Sequence, residues 1–382
     1  MRITNVKVHF MRIPLREPGL LHPHQPTRKS WDFTLVKVFT DQDVTGFGAM
    51  ERWAPGWSRY VEHVMKPLLV DVIAEPHYIE RFAATIRSQA PSRVSPRPSC
   101  IEIALWDIVG KAAGQPVYKL LGAYQDKAKA YLSSWDEYRW TPKEWAEFSI
   151  KNREQGFRAI KLYCSPLTPL KKELDKVKAV RDAIGDEMEI MVDAESAWGL
   201  SSYSYRDALK LARGLERLDV VWVEEPLPHL HNPDLSARLA AAVDIQIAGG
   251  GQIFGMHDFR MLLEKKALDI VQPDVGNVGG ISEMRKVALL AEAYGRSCVP
   301  HCYGSGLLLA ATLQVVGSTN IPYVEYTSFP PVFGVDVRDS ILENPILVDK
   351  DGYVSVPRQP GLGVGINEEN VEKYSVKDED IL

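Results

Sequence analysis

The sequence predicts an α/β barrel preceded by an α+β segment. Short apolar strands alternate with helical stretches from about residue 128 onward. Their ends recur about every 23 to 32 residues, the size of a strand–helix unit. Nearly every one of these strands also ends in a residue with chemistry, as expected where the C-terminal strand ends of a barrel form one working face.

Taken in order, residues 3–10, 34–39 and 44–48 read as antiparallel strands, the last two joined by the polar turn Thr40-Asp41-Gln42-Asp43. Residues 17–31, rich in Pro, His and Gly, read as a long loop of the kind used as a lid. Residues 56–125 read as helices. Ile101, Ala104, Leu105, Ile108 and Val109 make one apolar face at helical spacing, and Pro116 marks a break. The barrel strands are expected to end at 159–161, 190–193, 221–224, 245–248, 270–274, 298–301 and 323–325. Beyond 331, strands at 345–348, 351–356 and 360–364 are expected to pack back on the N-terminal segment.

The chain has 382 residues, long enough for a large domain with a smaller partner. It is 45% hydrophobic and 25% charged, with net charge -5 and no basic stripe, which argues against a nucleic-acid partner. No apolar run reaches the roughly 18 residues of a membrane span, and the N-terminus has no signal-peptide pattern. Cys100, Cys164, Cys298 and Cys302 are too few and scattered for a disulfide framework, so a reducing cytoplasm is expected. Cys298, His301 and Cys302 lack a fourth ligand and zinc-like spacing.

Asp193 and Glu224 end successive strands, a placement that suits a hard divalent cation; surface carboxylates or helix caps are the plainer reading. Lys161, at an earlier strand end, suits neutralisation of a substrate carboxylate, against a snorkelling surface lysine. Asp274 and His301 end the next two strands after 248, where a carboxylate could fix an imidazole tautomer; an unrelated Asp and a satisfied buried His are the alternative.

Several motifs recur in order: Ala104-Leu105-Trp106-Asp107-Ile108 with Gly110-Lys111-Ala112-Ala113-Gly114, then Gly156-Phe157-Arg158-Ala159-Ile160-Lys161, Val192-Asp193-Ala194 and Trp222-Val223-Glu224-Glu225-Pro226. Asp269-Ile270-Val271-Gln272-Pro273-Asp274, Gly279-Gly280-Ile281-Ser282-Glu283 and Pro360-Gly361-Leu362-Gly363-Val364 follow. With these the whole chain resembles the mandelate racemase group of the enolase superfamily, within the mandelate racemase/muconate lactonizing enzyme family. The resemblance implies a modified (β/α)7β TIM barrel at 126–330 under an α+β capping domain made of 1–125 and the tail 331–382. It implies Mg²⁺ on Asp193 and Glu224, an Asp274–His301 dyad as general base, and Glu325 bonding the substrate carboxylate or enediolate. Cap loops near 17–31 and 50–57 would close on the substrate, with His22, His24, Arg28, Trp31, Arg52 and Trp53 as contacts. A homo-oligomer is also implied.

This chain departs from the family pattern at two positions and is unusual at a third. Where relatives carry a third metal carboxylate, in a Gly-Gly-Glu context, it reads Gly249-Gly250-Gly251-Gln252, so weak Mg²⁺ binding is expected. The second lysine of the usual Lys-x-Lys is Tyr163, which removes the usual base for one face of the substrate. Glu195, two residues after Asp193, is expected on the same strand face as an acid, a polyol contact or a substitute metal ligand. One base suffices for β-elimination of water, so the expected reaction is dehydration of a sugar acid to a 2-keto-3-deoxy acid. The alternatives are a racemase, epimerase or cycloisomerase on a related acid, or a pseudoenzyme impaired by Gly251.

Overall fold

The computed structural model describes residues 1–19, 27–51, 56–89, 98–134, 140–196 and 201–377. Its N-terminal sheet is a meander of β1 (Ile3–Gly19), β2 (Arg28–Thr40) and β3 (Thr45–Met50). The strands run further than the sequence pattern suggested. Gly19 still pairs with Arg28, so only 20–27 of the expected loop 17–31 falls between the strands, and 20–26 of it lies outside the described residues. The helix Ser99–Ala112 covers this sheet, and the helix Ile79–Gln89 packs against that helix. Ile101, Ala104, Leu105 and Ile108 bury the expected face against Val36, Val38 and Phe10.

A parallel sheet follows: β4 (Lys127–Ser133), β5 (Ala159–Tyr163), β6 (Glu189–Asp193), β7 (Val220–Glu224), β8 (Gln246–Gly249), β9 (Ile270–Val271), β10 (Ser297–Cys298) and β11 (Tyr323–Thr327). Its spatial order is β10-β9-β8-β7-β6-β5-β4-β11, with helices between successive strands. β4 was missed as a barrel strand because Lys127-Ala128-Lys129-Ala130 is polar by alternation, whereas β5 to β7 are buried almost throughout. Two contacts bridge the ends of the curled sheet: Cys302 N–H donates to Glu325 Oε2 at 2.8 Å, and Thr327 Oγ1 donates to the Cys302 carbonyl at 3.0 Å.

The interior is filled by Tyr131, Ala159, Met191, Trp222, Ala248, Ile270 and Val299, packed in one cluster with Tyr323 against it. Trp222 is edge-on to both Tyr131 and Tyr323. Side chains alternate along a strand, so the residue two positions on from each plug residue points inward one layer higher. Those residues are Ser133, Lys161, Asp193, Glu224, Gly250, Gln272, His301 and Glu325. The polar ring of the site therefore sits directly on an apolar plug.

Beyond β11 the chain serves both halves. Of the three strands expected in the tail, only β12 (Tyr353–Ser355) forms, and it pairs antiparallel with β4 of the barrel rather than with the N-terminal segment. Leu362 N–H instead donates to Asp107 Oδ1 at 2.9 Å, while Asp107 Oδ2 accepts Phe47 N–H at 2.9 Å. Finally β13 (Ser375–Val376) pairs with β1. No helix among the described residues is long and apolar enough to cross a membrane.

Candidate active site

Asp193 and Glu224 are register partners on adjacent strands, both buried. Lys161, 1% exposed, lies mid-strand on the neighbouring strand β5. Its Nζ is 2.9 Å from Glu224 Oε2, 2.9 Å from Glu325 Oε1 and 3.7 Å from Asp193 Oδ2. Burial alone would strip the ammonium of its proton, but the Glu224 and Glu325 carboxylates outweigh it and hold the Lys161 pKa well above the usual value. Burial likewise works against Glu325, yet the Lys161 and His301 charges keep its carboxyl below the usual range. Glu325 is thus an ionised acceptor whose two oxygens already take Lys161 and the Cys302 N–H. Burial and then the Glu224 charge push Asp193 well up. A site so rich in carboxylates and short of cations attracts positive charge.

Asp274 and His301 lie three residues past the ends of β9 and β10, not at strand ends. They nevertheless meet: His301 Nδ1 is 2.7 Å from Asp274 Oδ2. Asp274 caps a one-turn helix, its Oδ1 accepting Gly276 N–H at 2.7 Å and Asn277 N–H at 3.1 Å. The carboxylate is locked by backbone before it orients the imidazole. Burial opposes charge on His301, but Glu325 and Asp274 overcome it and raise its pKa to about 10.

Tyr163 is the last residue of β5, its hydroxyl 3.0 Å from Ser133 Oγ. Burial, with Asp193 and Glu325, drives its pKa well above the usual value despite Lys161, so the phenol stays protonated. Glu195 is not on a strand face shared with Asp193. The strand stops at Asp193, and Glu195 takes φ 53°, its N–H turned back to Asp193 Oδ1 at 2.8 Å. Gly251 follows β8 as expected, and the space beside it is taken: a Cβ there would lie 3.0 Å from His301 Cγ and 3.1 Å from Cδ2.

Trp31 is not on a loop. It sits in β2, 1% exposed, with ring centroids 4.8 Å from Tyr303 and 4.6 Å from Phe333, so it backs the segment after His301 instead of lining an open mouth. Arg28 opens β2. His22, His24, Arg52 and Trp53 lie outside the described residues. Cys298 and Cys302 are buried free thiols, and among the described residues no three His, Cys, Asp or Glu side chains gather as a metal cage.

Sequence reasoning passed over Gln272 and Glu225. Gln272 Nε2 donates to Glu224 Oε2 at 2.9 Å; its place two residues after Ile270 is the signal that would have found it. Glu225 is buried at φ 48°, and burial with the adjacent Glu224 charge lifts its carboxyl to about 7. Two residues in left-handed backbone at one site is a concentration of strain typical of functional centres.

Two family models match this chain, the mandelate racemase/muconate lactonizing enzyme N-terminal domain over residues 5–122 and the enolase C-terminal domain-like fold over residues 145–370. The chain belongs to the mandelate racemase/muconate lactonizing enzyme family of the enolase superfamily. Within this family it is 32% identical over 356 residues to arabinonate dehydratase of Saccharolobus solfataricus, covering 91% of each chain. It is 29% identical to D-galactarolactone cycloisomerase of Agrobacterium fabrum, covering 99% of this chain and 100% of that one. Among solved structures, D-glucarate dehydratase from Agrobacterium tumefaciens, complexed with magnesium, superposes with TM-score 0.83 at 30% identity, covering 98% of this chain and 99% of that one.

Proposed function

We propose that this family member removes the proton alpha to the carboxylate of an acid sugar and expels the β-hydroxyl as water, giving a 2-keto-3-deoxy acid. The observation that carries this reading is the His301–Asp274 contact at 2.7 Å, in the same inward ring as the Lys161 ammonium. Its relation to an arabinonate dehydratase supports the substrate class.

His301, oriented through Nδ1, takes the α proton on Nε2. Lys161 offers positive charge where the carboxylate becomes an enediolate. Glu325 holds Lys161 in place and sustains the positive charge that His301 acquires. Tyr163, fixed by Ser133, hydrogen-bonds a substrate oxygen. No second base faces His301 from that position, which favours elimination over racemisation. His301 then returns its proton to the departing hydroxyl. Glu195 in the barrel and Trp31, His22, His24, Arg52 and Trp53 in the cap remain the proposed substrate contacts or supports, with the cap assigned to 1–125 and 331–382 over a barrel of 126–330.

Asp193 and Glu224 fit a Mg²⁺ ion: they are adjacent hard oxygen donors, and Mg²⁺ is satisfied by one or two carboxylates with water and substrate oxygens. The ion would supply Lewis-acid stabilisation of the substrate carboxylate. Gly251 adds no ligand and Lys161 shares Glu224, so the ion would be held weakly without substrate. Four buried free cysteines suit a reducing cytoplasm, and family resemblance supports a homo-oligomer.

Incubation with a panel of aldonic and aldaric acids tests the reading, with and without Mg²⁺. Formation of 2-keto-3-deoxy acid supports it. The relation to D-galactarolactone cycloisomerase makes lactone isomerisation the outcome to compare. Epimer or lactone products without a keto acid would replace dehydration, and no α-proton exchange in D₂O with any acid would remove the enzyme reading.

A further inference from the structure

The helix Ile281–Ala293 begins without a cap of its own, because the residue before it is Gly280. Its first N–H groups have no intrahelical partner and need one from elsewhere. That partner comes from the N-terminal segment. Glu102, buried in the helix Ser99–Ala112, accepts Ile281 N–H at 2.7 Å through Oε2 and Ser282 N–H at 2.9 Å through Oε1. Trp106 Nε1 donates to the same Oε1 at 3.0 Å and lies 2.9 Å from Ser282 Oγ. One turn earlier, Ser99 Oγ accepts Gly279 N–H at 3.1 Å. A Cβ on Gly280 would sit 1.9 Å from Glu102 Oε2, so the carboxylate presses on bare backbone. The Gly279-Gly280-Ile281-Ser282 motif, which the site itself does not use, is the seat of this contact.

The segment held by Glu102 starts at Asp274. From the dyad carboxylate the chain makes one helical turn, Val275–Val278, whose last N–H returns to the Asp274 carbonyl at 2.7 Å. Val278 O accepts Gly255 N–H at 2.8 Å, and Asn277 Nδ2 donates to Gly251 O at 3.0 Å. Then come Gly279 and Gly280, at φ 123° and 100°. Two glycines in this region give the backbone freedom that only outside contacts restrain. Ser99 and Glu102 are placed to restrain them.

We propose that Glu102 is a positioning residue: reaching from the N-terminal segment, its carboxylate fixes the 279–282 turn and thereby the Asp274 carboxylate that orients His301. The proposal rests on the role given to His301 above.

Glu102→Gln keeps the volume but turns one oxygen into a donor facing an N–H. The expected result is a fall in kcat on the order of tenfold with KM changed less than about twofold, the pattern of a lost transition-state contribution. The downfield proton resonance of the His301–Asp274 hydrogen bond, assigned by its loss in His301→Asn, should broaden or move in Glu102→Gln. Ser99→Ala, a milder change that leaves the carboxylate, should shift both readouts less and in the same direction, and serves if Glu102→Gln does not fold. A lowered melting temperature with wild-type kcat, KM and proton resonance would show a merely structural cap and overturn the proposal. If the wild type turns over no acid sugar, the functional reading has failed separately. The resonance then decides, and an unchanged signal in Glu102→Gln overturns the clamp.

Discussion

Replacing Gly251 separates two things that the site couples, cation binding and the position of the base. Sequence reasoning expects Gly251→Glu to restore a third carboxylate, tighten Mg²⁺ and aid turnover. The structure alters the last expectation. The new Cβ would lie 3.0, 3.1 and 3.3 Å from His301 Cγ, Cδ2 and Cβ. Comfortable carbon contacts lie near 3.5–4.0 Å, so the ring must yield by about 0.5 Å. Misplacement of a reacting group by about 1 Å can cost a hundredfold, so half of that implies a loss in kcat on the order of tenfold. Overpacking at such a position also costs about 1–3 kcal/mol of stability. Gly251→Ala carries the collision without the carboxylate; Gly251→Glu carries both. Isothermal titration with Mg²⁺ should show wild-type affinity in Gly251→Ala and tighter binding in Gly251→Glu, while steady-state kinetics show both variants slower than wild type. Gly251→Ala with full kcat, or Gly251→Glu faster than wild type, would refute the steric argument and return Gly251 to being a simple missing ligand.

Three further outcomes follow from the same geometry. His301→Asn should lower kcat by about 10²–10⁴-fold, the range for a general base, and should stay folded because Asp274 keeps its Gly276 and Asn277 N–H bonds; α-proton exchange in D₂O reads it, and retained exchange with an unchanged pH profile would rule out the single-base scheme. Lys161→Met leaves Glu224, Glu325 and Asp193 facing one another without their cation, a loss of about 3–5 kcal/mol. The carboxyl pKa values are then raised on folding, so the penalty should shrink as pH falls toward about 5, and urea melts showing equal loss at pH 5 and 8 would contradict this. The His301 pKa is raised from 6.5 to about 10, so its stabilising charge is fully present below 6.5 and disappears as pH rises through about 10. The basic form appears over that same window, so kcat/KM should climb from neutral pH while thermal stability declines; a flat kcat/KM profile between those values would exclude His301 as the base.

Much of the site was legible because strand periodicity places residues without knowledge of packing. Asp193 and Glu224 end strands spaced by repeating units, Glu325 lies mid-strand in β11, which runs two residues beyond where the pattern ended it, and Asp274 with His301 meets across two successive units. What escaped depends on neighbours distant in sequence. Lys161 was expected near the mouth, but its grip on Glu224 and Glu325 follows from a curled sheet that brings β11 beside β4, far apart in the chain. Glu195 failed because strand alternation ends where the backbone turns left-handed. Trp31 was placed on a loop by its Pro- and His-rich surroundings, yet pairing with Ile13 holds it in β2. Gln272 carried no charge and so drew no notice, although its spacing from the plug marks it as surely as Lys161.

The tail described above also sets the order in which the chain can be assembled. β12 zips onto β4, Leu362 fastens to Asp107, and β13 lies against β1, with Ser375 Oγ 3.1 Å from His9 Nδ1 across 366 residues of sequence. A ribosome delivers the strands of the N-terminal sheet first and their last partner nearly at the end. Until residues 353–355 emerge the start of β4 lacks β12, and until residue 376 emerges one edge of β1 lacks β13, so both offer open backbone to any other strand. Contacts of such long sequence separation slow folding, so the nascent chain spends its vulnerable interval waiting for its final two dozen described residues. Stop codons that remove residues 353–376 should therefore yield aggregate rather than a slower enzyme.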